Sequence, residues 1–363
     1  KDAFNRYHAM LGQELRHQQG FDCQGLWVEV NVERELGFTS KKDIETYGIA
    51  EFVRLCKQRV LTYAAVQTEQ SIRLGYWMDW NDPDELRRLR DLLEQDPSQD
   101  ITVEGPEGPV TDTVEMIVGR LGLPELGGSY FTFSNENNDL IWAFLAECEK
   151  RGWLYRGIDS MPWCTRCGTG MSQMEMNEGY QDREDPGLTV RFKLVERPGE
   201  SLLVWTTTPW TMTANVAAAV HPDLDYVLID QGGDERFWVG KVALKTAVQG
   251  DFKVVDTQKG SFLLGLHYTF AFDDLPVVQE AFADGRDDNG ASPYVHRVIE
   301  WTEVGEDEGT SIVHIAPGGG AEDFQLGKQL DLPVIAPLDE AGKYLKGFGK
   351  FEDKDATMRA LIP

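Results

Sequence analysis

The sequence has little positive charge and no long apolar run. Only 35 lysine and arginine residues stand against 61 aspartate and glutamate residues, so the formal net charge is −26. This balance argues against broad binding to nucleic-acid phosphates, although net charge does not exclude a local site. No apolar stretch is long enough for a membrane span, and no signal-peptide pattern is found. We therefore expect a cytoplasmic protein that has no membrane partner.

Cysteine is also scarce, and the five cysteines form no dense disulfide framework, which suits a reducing compartment. Only Cys164 and Cys167 are close together in sequence, with two residues between them. Two thiolates in a Cys-x-x-Cys pattern, followed by Gly168, fit one edge of a tetrahedral zinc site. Because no second Cys-x-x-Cys follows, the sequence predicts half of a zinc site. A redox pair and two unliganded core cysteines are the alternatives.

The length of 363 residues is enough for two or three domains. The chain begins at Lys1 rather than at a methionine, and it stops at Pro363 within a pattern. We expect it to be a fragment of a longer protein.

The most distinctive stretch covers residues 204–215, with five threonines, two tryptophans and one proline. An apolar run precedes it, and Pro209 cannot continue a helix or a central strand. The threonines are therefore predicted to lie where a buried strand ends and the chain turns. Hydroxyl and backbone N–H groups at such a turn can bind ribose, phosphate or an ester carbonyl. An ordinary edge strand is the alternative, because Thr and Trp favour strands.

A second stretch covers residues 309–324. Its order is a buried strand that contains His314, then Ala316-Pro317 and three glycines, and then the acidic start of a helix that contains Asp323. By itself, His314 is more often an ordinary buried histidine, and Asp323 can be a helix N-cap.

Together, the Trp-Thr-Thr-Thr-Pro-Trp-Thr core and the His-x-Ala-Pro motif resemble the editing domain of class I aminoacyl-tRNA synthetases, and most closely the isoleucyl-tRNA synthetases. Two segments nearer the start, residues 20–29 and 72–80, resemble the catalytic domain of that family. Gln24 and Trp27 stand where most members have His and Pro. The resemblance covers residues 1–80 and 130–363.

The resemblance implies an α/β protein with three parts. Residues 1–157 would be part of a Rossmann-type catalytic domain, with residues 81–129 as an insertion or loop of unassigned role. Residues 158–185 would be a zinc-knuckle segment and hinge, with the hinge at residues 175–180 and Asp185-Pro186. Residues 186–363 would be a β-barrel-like editing domain that is truncated at its C-terminus.

The resemblance also implies roles for individual residues. In the editing site, Asp323 would bind an α-ammonium group, Trp210 would be an aromatic wall, and the glycines would let the backbone approach the ligand, with Glu322 a weaker rival of Asp323. Catalytic roles fall on Thr206, Thr207, Thr208, Asn215, His314 and Asp323. Substrate binding falls on Trp210, Gly318, Gly319 and Gly320 in the editing site, and on Asp22 and Gln24 in the catalytic domain.

The implied activity is ATP-dependent attachment of isoleucine to tRNA-Ile, with hydrolysis of mischarged valyl-tRNA-Ile. ATP, Mg and Zn are the implied cofactors, and the implied oligomeric state is a monomer. The family's ATP signatures are absent, so the fragment alone is not expected to form an adenylate. A valyl or leucyl synthetase fragment, a non-catalytic zinc-ribbon module that binds RNA, and an inactive structural fragment remain alternatives.

The patterns along the chain also predict local structure. Helices are expected over residues 2–11, 41–75, 84–94 and 135–151, and a turn and then a strand over 21–32. From residue 188 onward, seven short strands are expected up to residue 315. A further strand and an acidic turn are expected over 331–342.

Overall fold

The computed structural model describes residues 1–182, 184, 187–286 and 293–357. The chain divides into two compact units, Lys1–Gly157 and Ile158–Pro363, which we call unit 1 and unit 2. Of the predicted hinge, residues 175–179 belong to a helix, Gln173–Gly179, whereas Asp185-Pro186 lies outside the described residues. Among the described residues, no helix has the length and apolarity that crossing a bilayer requires.

Unit 1 is mainly helical. Its helices are α1 (Asp2–Met10), α2 (Leu26–Leu36), α3 (Lys42–Tyr47), α4 (Ile49–Arg73), α5 (Pro83–Gln95), α6 (Val114–Gly119) and α7 (Asn135–Lys150). Its strands are β1 (Gly20–Phe21), β2 (Asp100–Gly105), β3 (Gly108–Thr113) and β4 (Tyr130–Phe131). β1 and β4 pair in parallel, and β2 and β3 form an antiparallel hairpin.

The segment after β1 is a helix, so the strand predicted over residues 21–32 is wrong. Val28 and Val32 lie four residues apart and are both buried, which is the spacing of one helical face. Gly25 and Gly37 flank the helix, and both have positive φ angles. At Gly37 the left-handed conformation ends α2, as glycine commonly does. The valines that resembled a strand therefore form the buried face of α2.

Residues 81–129 contain a helix and a hairpin, and their assignment as an insertion stays a prediction. The predicted helix over 84–94 is present as α5, which begins with Asp82 accepting a 2.7 Å hydrogen bond from the backbone N–H of Asp84. Leu86, Leu89 and Leu93 of this helix are buried in the core of unit 1. The glycines and prolines that indicated a loop belong to the β2–β3 hairpin.

Unit 2 is built around one sheet. Its strands are β5 (Trp163–Cys164), β6 (Thr169–Gly170), β7 (Leu188–Leu194), β8 (Glu200–Thr206), β9 (Ala217–Val220), β10 (Asp225–Asp230), β11 (Arg236–Gly240), β12 (Lys253–Lys259), β13 (Tyr268–Thr269), β14 (Arg297–Glu300) and β15 (Val313–Ile315). Its helices are α8 (Gln173–Gly179), α9 (Leu244–Ala247), α10 (Pro276–Asp284) and α11 (Ala321–Leu330). The seven strands predicted between residues 188 and 315 all overlap observed strands.

The nine-stranded sheet of unit 2 is curled into a half-barrel. Its order is β12-β10-β11-β8-β15-β9-β14, and β7 adds to β8 and carries β13. A bridge between His267 and Arg297 links the chain before β13 to β14. β9 consists of four fully buried residues between β15 and β14, and three of them are alanines. The sheet thereby brings β8 and β15, which are far apart in sequence, next to each other.

No strand forms over the described residues 331–342, contrary to the prediction. Pro333 and Pro337 have no N–H group to donate to a ladder, and only one isolated bridge, Leu338 to Tyr344, is present there. The acidic turn is present, because the Asp339 carboxylate accepts hydrogen bonds of 2.9 Å from the backbone N–H groups of Ala341 and Lys343.

Candidate active site

The threonine-rich stretch lies at the end of a strand, as predicted. β8 ends at Thr206, and a 3₁₀ turn begins at Pro209, where a proline fits the first helical position. The Thr206 hydroxyl oxygen accepts a 3.1 Å hydrogen bond from the backbone N–H of Thr208. The Thr206 and Thr208 hydroxyl oxygens lie 3.3 Å apart. The turn therefore places a row of hydroxyl groups at one end of the sheet.

The second stretch lies beside this turn. β15 pairs in parallel with β8, with Val313 opposite Trp205. The three glycines follow, and α11 begins at Ala321. Asp323 lies in the first turn of this helix, and its carboxylate accepts a 2.8 Å hydrogen bond from the backbone N–H of Ala316. This bond closes the glycine loop over the end of β15.

The two stretches line one cavity of about 370 Å³, which we call the threonine cavity. Predicted site residues that line it are Thr206, Thr207, Thr208, His314, Gly319, Gly320 and Asp323. Other lining side chains, to which sequence reasoning gave no role, include Trp205, Thr211, Trp301, Glu303 and Glu308. Thr211 belongs to the threonine-rich motif, and this position in the motif is the sequence signal that could have identified it as a site residue. Trp301 and the two glutamates carry no recognisable motif.

Three predicted residues of the editing site do not line the threonine cavity. Trp210 and Gly318 line a neighbouring cavity of about 670 Å³, and Gly319 lines both. Asn215 is only 2 % exposed and lies behind the cavity wall. Its amide contacts His314 rather than the cavity.

His314 is held by hydrogen bonds at both ring nitrogens. Nε2 lies 2.7 Å from the Thr211 hydroxyl, and Nδ1 lies 3.2 Å from the amide nitrogen of Asn215. Burial lowers the pKa of His314 to about 4. The imidazole is therefore neutral at neutral pH, and neither ring nitrogen is left to take a proton from water in the cavity.

Asp323 differs from His314 in that its charge can change near neutral pH. Burial raises the pKa of Asp323 to about 6, against the lowering effect of the Ala316 N–H bond, and the nearby Glu322 adds to the rise. A cation in the cavity would favour the ionised form and relieve this cost. The arrangement is that of a carboxylate suited to binding a positively charged group.

Gly318 is needed for packing. A Cβ at this position would lie 2.0 Å from the carbonyl oxygen of Ile335. At Gly319, a Cβ would lie 2.9 Å from a methyl group of Thr211. At Gly320 the nearest atom, on Asp323, is 3.4 Å away. The first glycine thus lets two backbone segments meet, and the third is the least constrained by packing.

Cys164 and Cys167 lie at the β5–β6 hairpin. The backbone N–H of Cys167 donates a 3.3 Å hydrogen bond to the Cys164 sulfur, and Gly168 has a positive φ. Two thiolates in this turn fit one edge of a tetrahedral metal site. Within the described ranges, however, no group of three or more metal-ligating side chains is present. The predicted half of a zinc site therefore stays a prediction that rests on these two thiols.

Asp22 and Gln24 belong to unit 1. The Asp22 carboxylate accepts a 3.2 Å hydrogen bond from the backbone N–H of Gln24, which closes a turn. The Gln24 side chain exchanges two hydrogen bonds with Thr132, of 3.0 and 3.2 Å. Both side chains are exposed. In this structure, the hydrogen bonds of Asp22 and Gln24 stabilise the turn between β1 and α2.

Comparison with known proteins identifies the family. The family model for class I tRNA synthetases (I, L, M and V) matches residues 1–87 and 110–309. The isoleucine–tRNA ligases of Pyrococcus furiosus and Methanothermobacter marburgensis are 34 % and 35 % identical to this chain, over 96 % and 97 % of its length. That of Sulfolobus acidocaldarius is 30 % identical over 98 %. The chain spans 28–29 % of the length of these relatives.

Two solved structures show weaker likeness. The leucyl-tRNA synthetase structure GlLeuRS-CP1 is 19 % identical with a TM-score of 0.32, over 40 % of this chain and 59 % of that one. The P. falciparum cytosolic leucyl-tRNA synthetase editing domain is 14 % identical with a TM-score of 0.28, over 36 % and 47 %. The sequence relatives confirm the resemblance to isoleucyl-tRNA synthetases, and the match to the family model shows that this chain belongs to the class I tRNA synthetases of the I, L, M and V group.

Proposed function

We propose that the threonine cavity is a hydrolytic editing site that cleaves valine from mischarged tRNA-Ile. One observation carries the proposal. Residues of two stretches that are about a hundred positions apart, both typical of editing synthetases, meet in one cavity of about 370 Å³. This cavity combines hydroxyl groups, a carboxylate and a neutral imidazole.

Asp323 would bind the free α-ammonium group of the aminoacyl ester. One carboxylate oxygen is fixed by the Ala316 N–H, so the group is oriented before the substrate arrives. A charge-assisted hydrogen bond in a partly dehydrated cavity is stronger than one between neutral groups. Because this bond needs a free ammonium group, the site would bind only esters of amino acids whose amino group is free.

The threonine turn would hold the terminal adenosine and the ester. Hydrolysis requires water to attack the ester carbonyl carbon, after which the bond from that carbon to the ribose oxygen breaks. The products are free valine and a ribose hydroxyl that has gained a proton from the water. Hydroxyl and N–H groups of Thr206, Thr207 and Thr208 supply donors near the carbonyl oxygen, where negative charge develops.

The need for such a site follows from the size of the two amino acids. An apolar pocket distinguishes two side chains that differ by one methylene by only about 1–3 kcal/mol of binding free energy. The isoleucine enzyme, which must tell isoleucine from valine, is itself the standard example. A second site must then hydrolyse the smaller ester and exclude the larger one. His314 forms part of the cavity wall and would limit the side chain that fits.

For the whole protein we propose ATP- and Mg-dependent attachment of isoleucine to tRNA-Ile, by a monomeric cytoplasmic enzyme. Unit 1 would contribute part of a Rossmann-type catalytic domain, in which Asp22 and Gln24 line the amino-acid pocket. Residues 158–185 would be the zinc segment and hinge, and residues 186–363 the editing domain, with Trp210 and the three glycines at its ligand site. Cys164 and Cys167 would bind zinc together with two ligands from elsewhere in the full-length protein.

The test is deacylation of valyl-tRNA-Ile by the 363-residue chain, with isoleucyl-tRNA-Ile and threonyl-tRNA-Val compared. Selective hydrolysis of the valyl ester supports the proposal. Preference for threonyl-tRNA-Val would indicate a valyl enzyme instead. Binding of tRNA without hydrolysis of any ester, by a folded sample, would favour the RNA-binding module. ATP–pyrophosphate exchange by this chain alone would contradict the assignment of adenylate formation to parts outside it.

A further inference from the structure

A chain of buried hydrogen bonds runs from the threonine cavity to Tyr268, a residue outside both motifs. It passes from Thr211 through His314 and Asn215. Its members are almost fully buried: the exposed fractions are 7 % for His314, 2 % for Asn215 and 3 % for Tyr268. Only the Thr211 end and one edge of His314 face the cavity. This series, which we call the Tyr268 relay, stands behind the site.

The direction of each bond in the relay follows from the available donors and acceptors. The amide nitrogen of Asn215 donates a 2.9 Å bond to the Ala217 carbonyl oxygen, which can only accept. This fixes the orientation of the amide, so its oxygen accepts the 2.7 Å bond from the Tyr268 hydroxyl. The second N–H of the amide then points to Nδ1 of His314, which must accept it.

The same argument continues towards the cavity. Because Nδ1 accepts, the proton of the neutral imidazole lies on Nε2, which donates to the Thr211 hydroxyl oxygen. The Thr211 hydroxyl in turn donates a 2.7 Å bond to the Thr208 carbonyl oxygen. The relay therefore ends on the backbone of the threonine turn, and it sets which way the Thr211 hydroxyl points.

Tyr268 itself is rigidly placed. Its ring stacks between Phe192, at a centroid distance of 4.6 Å, and His296, at 4.7 Å. The His296 ring is held in turn by the Val216 carbonyl oxygen and the Asp273 carboxylate, each at 3.0 Å. The hydroxyl of Tyr268 therefore has little freedom to turn away from Asn215.

We infer that Tyr268 and Asn215 are positioning residues that hold His314 in its Nε2–H tautomer and, through it, fix the Thr211 hydroxyl and the threonine turn for ester hydrolysis. This inference rests on the proposed function. It assigns His314 a role in orienting its neighbours, and it assigns Asn215 an action through His314 rather than a contact with substrate. It also gives a role to Tyr268 and Thr211.

Nuclear magnetic resonance of the imidazole nitrogens tests the tautomer directly in the 363-residue chain. Six histidines are present, so the signals of His314 can be identified by their loss in the His314→Gln variant. At pH 7 we expect a single species with the proton on Nε2. A dominant Nδ1–H form in the wild-type chain would overturn the inference without any activity measurement.

Tyr268→Phe tests the far end of the relay. It should lower kcat for deacylation of valyl-tRNA-Ile by about ten-fold while KM changes by less than about two-fold, because the turn is loosened rather than a substrate contact removed. The Nε2–H proton of His314 should also exchange faster with solvent. Unchanged kcat together with an unchanged His314 signal would contradict the inference.

Tyr226→Phe is the matched control. Tyr226 belongs to the same core cluster and is also buried. Its hydroxyl donates a 2.8 Å bond to the Ser311 carbonyl oxygen and accepts a 3.1 Å bond from the His221 N–H, so this variant loses hydroxyl bonds outside the relay. It should leave kcat and the His314 signal near wild type. An equal fall in kcat in both variants would mean that Tyr268 has only a structural role. If the wild-type chain hydrolyses no ester, the proposed function fails, and the nitrogen spectra still decide whether the relay exists.

Discussion

The threonine turn and the Cys-x-x-Cys hairpin are both short motifs at turns of unit 2, but they differ in their partners. The turn meets His314 and Asp323 from the second stretch, and Tyr268 completes its support. The hairpin offers two thiols, and no set of three metal-ligating side chains forms among the described residues. A motif thus predicts chemistry only as far as the fold supplies the remaining groups.

Asp323→Ala should have the largest effect on activity of all the changes, because it removes the cavity carboxylate that accepts a backbone N–H bond from Ala316. We expect kcat/KM for valyl-tRNA-Ile to fall by about a hundred-fold, as for loss of one partner of a buried charge pair. Deacylation kinetics measure it. Glu322→Ala is the control, since Glu322 is exposed and does not line the cavity. A larger loss in the control than in Asp323→Ala would assign the ammonium site to Glu322.

Among alanine substitutions at the three loop glycines, residues 318–320, Gly318→Ala should be the most destabilising. Its Cβ would lie 2.0 Å from the Ile335 carbonyl oxygen, so the backbone must move. We expect the free energy of unfolding to fall by about 2–3 kcal/mol, measured by urea denaturation. Gly320→Ala, with its nearest atom at 3.4 Å, should cost less. Equal stability of the two variants would contradict the packing role of Gly318.

The pH dependence should follow Asp323. Its pKa is raised to about 6, so the carboxylate loses its charge below that pH, and kcat/KM should fall by about ten-fold per pH unit there. A pH–rate profile that stays flat between pH 7 and 5 would contradict this role. The profile of Glu322→Ala should keep the same shape but shift to lower pH, because Glu322 contributes to the raised pKa of Asp323.

The same pKa predicts a stability effect of opposite sign to the activity effect. The folded state binds the Asp323 proton more tightly than the unfolded state, whose pKa is near 3.8. The resulting stability is complete below about pH 3.8 and is lost as the pH rises through about 6. At pH 7 the ionised carboxylate therefore lowers the free energy of unfolding. Asp323→Asn, which removes this charge, should raise the free energy of unfolding by about 1 kcal/mol. A clear loss of stability in urea would contradict the shift.

Cys164→Ser should have the smallest effect. With only two of the four ligands that the proposed zinc site needs, the chain should bind zinc weakly, and the variant should hydrolyse valyl-tRNA-Ile at the wild-type rate. Equilibrium dialysis with zinc measures the affinity. Tight binding of one zinc ion per chain, lost in the variant, would show that the other ligands are present after all.

Local patterns predicted much of this fold, because they depend on neighbours in sequence. The end of β8 at the threonines follows from Pro209, and the start of the helix that contains Asp323 follows from the glycine run. α2 was missed because Val28 and Val32 fit a strand as well as a helix, and the decisive positive φ angles of Gly25 and Gly37 appear only in the structure.

The candidate site was less predictable, because its geometry depends on distant contacts. The motifs point to His314 and Asn215, but they do not show that Asn215 is buried behind His314. Tyr268 lies 53 residues from Asn215, and no sequence pattern links the two. Hydrogen bonds across a curled sheet depend on strand order, which short motifs do not encode.

The most direct test of the account is deacylation of valyl-tRNA-Ile by the 363-residue chain, with isoleucyl-tRNA-Ile in parallel and Asp323→Ala as the inactive reference. We predict rapid release of valine, little release of isoleucine, and neither with the variant. A folded wild-type chain that releases both amino acids equally, or neither, would contradict the assignment of the threonine cavity as an editing site.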